Sequence, residues 1–182
     1  DVLDEFFRTG VYAPRSGAQT LATSSPSMDI SRASNLERFI RQLLGEEDFV
    51  AAWAQLARSG RLDLSAHRER MREEFGFVSG RSTHADRLEA IRRVHSATGY
   101  LIDPHTADGV TVALREREPG FPTLVLETAK AAKFGDTVAQ AIGEQPPTPD
   151  ALRVLLAASQ HVTDIDDDVA ALRRIIVASA LS

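Results

Sequence analysis

Apolar residues recur at helical spacing through the first part of the chain. Val2, Leu3, Phe6 and Phe7 mark a helix that Gly10 stops. Residues 13–34 carry Ala, Ser, Thr and Pro with little period and are expected to form a loop with polar side chains available. Ser34-Asn35-Leu36-Glu37 fits a capping box. It opens a helix with Leu36, Phe39, Ile40, Leu43 and Leu44 on one face and Gly45 as its stop. Glu46 to Arg58 predicts a second helix before Gly60, with Phe49, Val50, Trp53, Leu56 and Ala57 inward. A third runs from Ser65 to just before Gly76, around Met71 and Phe75.

The rhythm then changes. Phe77-Val78-Ser79, Tyr100-Leu101-Ile102 and Thr123 to Glu127 are short apolar runs expected to be strands. Helices are predicted between them, over Thr83 to Ala97 with Leu88, Ile91 and Val94 inward, and over Thr106 to Glu118 before the Pro119-Gly120 turn. This alternation predicts an α/β fold, a partial parallel sheet flanked by helices and predominantly helical by residue count. Leu124, Val125 and Leu126 are apolar on both faces, which suits a central strand. Three strands make a poor independent sheet, so its neighbours are expected from chain outside this sequence or from a partner subunit. Phe134 to Ile142 is a further helix. The stiff Pro146-Pro147-Thr148-Pro149 connector leads to helices over Pro149 to Ser159 and Asp166 to Ala180. The expected division is residues 1–145, with a helical insertion at about 34–75, and an extension over 146–182.

Composition narrows the function. The chain has 182 residues with 43% hydrophobic and 26% charged, enough for one ordinary domain with a sizeable core. A net charge of -5 without a basic stripe argues against nucleic acid. The chain has no cysteine, which excludes disulfides, thiolate metal sites and a Cys nucleophile and fits a reducing cytoplasm. No apolar run approaches the roughly 20 residues of a membrane span. The chain opens on Asp1 inside a helical pattern, and a longer parent protein is expected.

The candidate chemistry lies where the strands meet the helices. Asp103-Pro104-His105-Thr106-Ala107 and Glu127-Thr128-Ala129-Lys130-Ala131-Ala132-Lys133-Phe134 each follow a predicted strand and precede a helix. Ligands of open α/β sheets bind at the carboxyl ends of strands. The second segment holds both lysines of the chain, Lys130 and Lys133.

These segments carry a resemblance. The chain looks like the carboxyl-terminal half of the threonine synthase family, of the pyridoxal-phosphate fold-type II class. Four stretches support it: Asp1-Val2-Leu3 with Phe7, Thr9, Gly10, Val11 and Tyr12; Ser25-Pro26-Ser27-Met28-Asp29-Ile30 with Ser34-Asn35-Leu36-Glu37-Arg38; Gly99 to Ala107; and Glu127-Thr128-Ala129 with Ala132-Lys133-Phe134. The resemblance implies an enzyme that uses pyridoxal phosphate to convert O-phosphohomoserine and water to threonine and phosphate. It places the Schiff-base lysine and a glycine-rich phosphate loop upstream of this sequence, so the isolated chain is expected to be inactive and its partner is the amino-terminal remainder, with a homo-oligomer also possible.

Residue by residue, the resemblance sets the Thr128 hydroxyl against the cofactor's pyridine nitrogen. The competing reading makes Thr128 a cap for the next helix. Lys133 is the candidate contact for substrate phosphate or carboxylate, or else an exposed lysine at a helix start. His105 and Thr106 either reach the site or hold the turn, with Asp103 as a helix cap. Ser27, Asp29 and Asn35 lie in a loop and helix start suited to anions, while Ser34 and Asn35 serve equally well as plain caps and Asp29 is available to Arg38. The sequence departs from the family's pattern at Lys130-Ala131, where His-Pro is usual, and at Asp108, where a small apolar residue is usual. His67, His84, His95 and His161 lack metal spacing, and Asp166-Asp167-Asp168 suits a helix start better than a cation loop. A non-catalytic domain that binds a partner or small anion is the alternative.

Overall fold

The structure, a computed structural model, describes residues 2–180. It divides into two compact units, residues 1–147 and 148–182. The first contains two apolar cores.

The first core is built by the amino-terminal helices. Helix α1 (Val2–Thr9) leads through Gly10 into β1 (Val11–Tyr12). Helices α2 (Leu36–Leu44) and α3 (Glu46–Ser59) pack together, then come β2 (Leu62–Asp63) and α4 (Arg68–Glu73). Phe6, Tyr12, Ile40, Leu43, Leu62 and Met71 are fully buried at their centre. Tyr12 keeps a polar end inside this core: its hydroxyl accepts the Ala33 backbone N–H at 3.0 Å. Burial raises the pKa of that hydroxyl, partly offset by the Ala33 bond and the charge of Arg32.

Helix α2 begins differently from the expected capping box. The Asn35 side chain makes no capping bond, and the turn closes through the Leu36 N–H on the Ala33 carbonyl at 3.3 Å. A capping box does form at α5 (His84–Thr98), where Thr83 and Asp86 bond reciprocally. Val50, expected inward, is exposed, so the buried stripe of α3 is narrower than its apolar composition suggests.

The second core lies among α5, α6 (Pro104–Glu116) and α7 (Gly135–Ile142), around Ala90, Ile91, Ile102, Ala107 and Ala141. The Arg92 guanidinium reinforces it by donating to the Ala141 carbonyl at 3.1 Å.

The partial parallel sheet is not present. Among the described residues the sole sheet is the antiparallel pair β1–β2, with Val11 opposite Asp63 and Tyr12 opposite Leu62. Residues 77–79, 100–102 and 123–127 join no ladder. A strand is held by its neighbours' backbone groups, and an apolar run without them has nothing to pair with. Phe77 instead stacks on Phe7, ring centroids 4.7 Å apart, and meets Phe39 at 4.5 Å. Leu124 and Leu126 stand 89% and 82% exposed, against the expectation of a buried central strand.

The second unit contains α8 (Asp150–Ala157) and α9 (Val169–Ala180). Pro149 is the residue before α8 rather than its first residue. Asp168 caps α9, accepting the Ala170 and Ala171 amides at 2.8 and 3.1 Å. No helix among the described residues is long and apolar enough to cross a membrane.

Gly10 is the tightest joint of the first core. Its φ is +78°, and a Cβ there would lie 2.4 Å from Ser65 Cα. Its carbonyl accepts the Leu64 N–H at 2.7 Å, so the backbone cannot move aside without losing that bond. Gly10→Ala is expected to cost about 2–5 kcal/mol through left-handed strain and overpacking. Denaturant unfolding checks this against Gly60→Ala, where φ is +68° but the space is open.

Candidate functional site

The site is organised by the amino-terminal end of α6. Asp103 is fully buried and precedes Pro104, whose fixed φ and missing N–H suit the first helical turn. Each oxygen of its carboxylate serves a different neighbour. Oδ1 accepts from the His105 backbone N–H at 2.9 Å and lies 2.8 Å from His105 Nδ1. Oδ2 accepts from the Thr106 N–H at 3.3 Å and from the Thr106 hydroxyl. Burial pushes this carboxyl up, but the bonds from Thr106 and His105 outweigh it and hold its pKa below the usual 3.8.

Both neighbours pass the contact on. The Ser27 backbone N–H donates to His105 Nε2 at 3.1 Å. A backbone amide can only donate, so Nε2 is the unprotonated nitrogen and Nδ1–H is the donor to Asp103. The ring edge packs against Phe134 at 4.8 Å between centroids. The Thr106 hydroxyl, while donating to Asp103, accepts the Thr128 backbone N–H at 3.3 Å. Asp103 is therefore linked to residue 27 on one side and residue 128 on the other.

The predicted site residues sort accordingly. His105, Thr106, Ser27 and Thr128 come together in this network, Ser27 and Thr128 through their amides alone. Both side chains are exposed, and neither hydroxyl has a hydrogen-bond partner among the described residues. Asp29 stays in the same loop as Ser27 but turns to Thr23, accepting its amide at 2.8 Å and its hydroxyl at 2.7 Å; Arg38 does not pair with it. Asn35 sits at the start of α2, with no hydrogen bond joining it to the network among the described residues. Lys133 is exposed on the 131–134 turn and makes no ion pair among the described residues. Lys130 is committed elsewhere, 3.1 Å from Glu127, whose carboxyl also accepts the Tyr100 hydroxyl at 2.9 Å. Those two bonds, Tyr100 first, hold the Glu127 pKa low.

A second buried group adjoins this one and was missed from sequence. Arg87 on α5 is almost fully buried and meets Asp108 on α6 at 2.7 Å. It also donates to the Ser24 hydroxyl at 2.7 Å, which lies 2.8 Å from His84 Nδ1. His84 Nε2 reaches Gln140 of α7 at 3.2 Å. Asp108, unusual against the resembled family, thus has a partner, and the signal was an arginine one position before the inward Leu88. No cluster of three or more His, Cys, Asp or Glu able to hold a metal occurs among the described residues.

Comparison with known proteins adds sequence and fold likeness. A family model described as "Threonine synthase, C-terminal" matches residues 106–176. Threonine synthase of Corynebacterium glutamicum is 52% identical over 97% of the chain, and that of Methylobacillus glycogenes 46% identical over 97%. A crystal structure of pyridoxal-phosphate-bound threonine synthase from Brucella melitensis superposes with a TM-score of 0.83 at 33% identity, again over 97% of the chain. The chain spans 38% of the length of each of these three proteins. Sequence and fold together match one segment of longer synthase-type chains. It belongs to the threonine synthase family, of which it carries the carboxyl-terminal portion.

Proposed function

We propose that this chain supplies the pyridine-nitrogen side of a pyridoxal-phosphate site in a complete threonine synthase, a fold-type II lyase that converts O-phosphohomoserine and water to threonine and phosphate. The 52% identity to the Corynebacterium glutamicum threonine synthase across nearly the whole chain carries this reading. The local geometry suits it. Thr128 has an exposed hydroxyl without a partner among the described residues, on a backbone fixed by Thr106. A hydroxyl can donate to a neutral ring nitrogen, where an aspartate would hold that nitrogen protonated. Bound pyridoxal phosphate supplies the electron sink for charge developing on the substrate carbons. Thr128 orients the ring and sets its nitrogen's charge. Lys133 binds the phosphate or carboxylate of O-phosphohomoserine as a point charge, aided by the open Ser27 hydroxyl.

In this reading residues 1–145 belong to the large cofactor domain, with a helical insertion at about 34–75, and 146–182 form an extension. The amino-terminal remainder, with its lysine and glycine-rich loop, completes the site in the cytoplasm. Its strands provide the ladder that residues 77–79, 100–102 and 123–127 lack.

Phosphate release from O-phosphohomoserine by the complete protein tests the assignment. Thr128→Ala is expected to lower turnover about tenfold, the equivalent of one hydrogen bond of about 1.4 kcal/mol, with unfolding unchanged. The 182-residue chain alone is expected to release none. A complete protein that binds pyridoxal phosphate yet releases no phosphate refutes the assignment and favours a non-catalytic anion-binding role.

A further inference from the structure

We propose that Asp103 is a positioning residue that aligns the two backbone segments beside the cofactor, one through each of its carboxylate oxygens. This rests on the reading of Thr128 as the ring-nitrogen contact. Oδ2 holds the Thr106 hydroxyl, and that oxygen holds the Thr128 amide. Oδ1 holds His105 Nδ1–H, and the far nitrogen of the ring holds the Ser27 amide.

A helix cap needs less than this. Capping α6 requires the His105 and Thr106 backbone amides to be satisfied, which Asp103 does at 2.9 and 3.3 Å. The two additional side-chain donors contribute nothing to the helix end. Each reaches away from it, to residues 78 and 22 positions distant in sequence. Both recipients have their amides fixed and their side chains exposed, so the network sets the backbone that carries each hydroxyl.

Donor polarity makes the carboxylate specific. Four donors converge on its two oxygens, from the amides and side chains of His105 and Thr106. An asparagine offers one oxygen and would turn an NH2 toward the donors of the other arm. Both arms are therefore satisfied together only by an ionised aspartate.

Hydrogen exchange of the complete protein, read by mass spectrometry on peptides over residues 24–30 and 124–130, tests this without relying on activity. Thr106→Val is expected to speed exchange in 124–130 about tenfold and leave 24–30 unchanged. His105→Phe, which keeps the contact with Phe134, is expected to do the reverse. Asp103→Asn is expected to speed at least one segment, and Thr106→Ser to restore the wild-type rate in 124–130. Should Asp103→Asn fail to fold, the single-arm variants decide alone. Unchanged exchange in Thr106→Val, or equal acceleration of both segments and of α6 in each single-arm variant, overturns the proposal by reducing Asp103 to a cap. In protein loaded with pyridoxal phosphate, Thr106→Val and Thr128→Ala are expected to move the cofactor absorbance in the same direction and His105→Phe to leave it. A complete protein that binds no pyridoxal phosphate refutes the functional reading, while the exchange pattern still decides the role of Asp103.

Discussion

Arg87→Met is expected to destabilise the protein by about 3–5 kcal/mol, measured as a fall in free energy of unfolding at neutral pH. The guanidinium is buried between α5 and α6, 2.7 Å from Asp108. Its removal leaves the Asp108 carboxylate facing a low-dielectric interior without a counter-charge, while the second oxygen of that carboxylate already has no partner among the described residues. Asp108→Leu added to Arg87→Met is expected to recover most of the loss, because an apolar pair of similar volume needs no desolvation. A single variant within about 0.5 kcal/mol of wild type would mean that water reaches the pair. The cost is not confined to two helices. Arg87 also holds Ser24, next in the chain to the loop that ends at Ser27 and Asp29, so loss of the pair should loosen the proposed substrate side of the site.

The elements most legible in the sequence were those that close on local information. Helices α1, α2, α3 and α5 follow from apolar spacing, and their ends from Gly10, Gly45, Gly60 and Gly99, each at positive φ. The Asp103 cap follows from Asp-Pro before a helical run. The three absent strands fail for the complementary reason. Apolar, β-branched runs such as 123–126 report burial, but pairing depends on a neighbour whose identity lies outside the segment. The site shows the same division. Thr128, Ser27, His105 and Thr106 stood out by type and place, whereas their connection depends on which atom of each is used. Ser27 and Thr128 enter through backbone amides, which every residue has, so no side-chain pattern reveals that connection. Asn35 was marked by the same criteria and lies apart, because a polar residue at a helix start marks a helix boundary as readily as an anion site, even where, as here, its side chain makes no capping bond.

Asp103→Ala is expected to cost about 2–4 kcal/mol at neutral pH, the sum of a lost cap and of buried donors on His105 and Thr106 left without an acceptor. This loss should depend on pH in one direction. The folded state holds the carboxyl below its ordinary value of 3.8, through the hydrogen bonds of Thr106 and His105 working against burial. The unfolded chain therefore binds the proton first as pH falls. The stabilisation is complete above about pH 4 and is lost progressively as pH drops from there through the folded value. Denaturant unfolding of wild type and Asp103→Ala should give a constant difference from pH 7 to pH 5 that narrows below pH 4. The neighbouring ionisable groups are His105, which donates to the carboxylate, and Glu127, which titrates low through Tyr100 and Lys130. Glu127→Gln separates its contribution: the narrowing should persist in that background. A difference that stays constant into acid would show that the carboxylate is not held ionised by its four donors, and the two-armed network would lose its electrostatic basis.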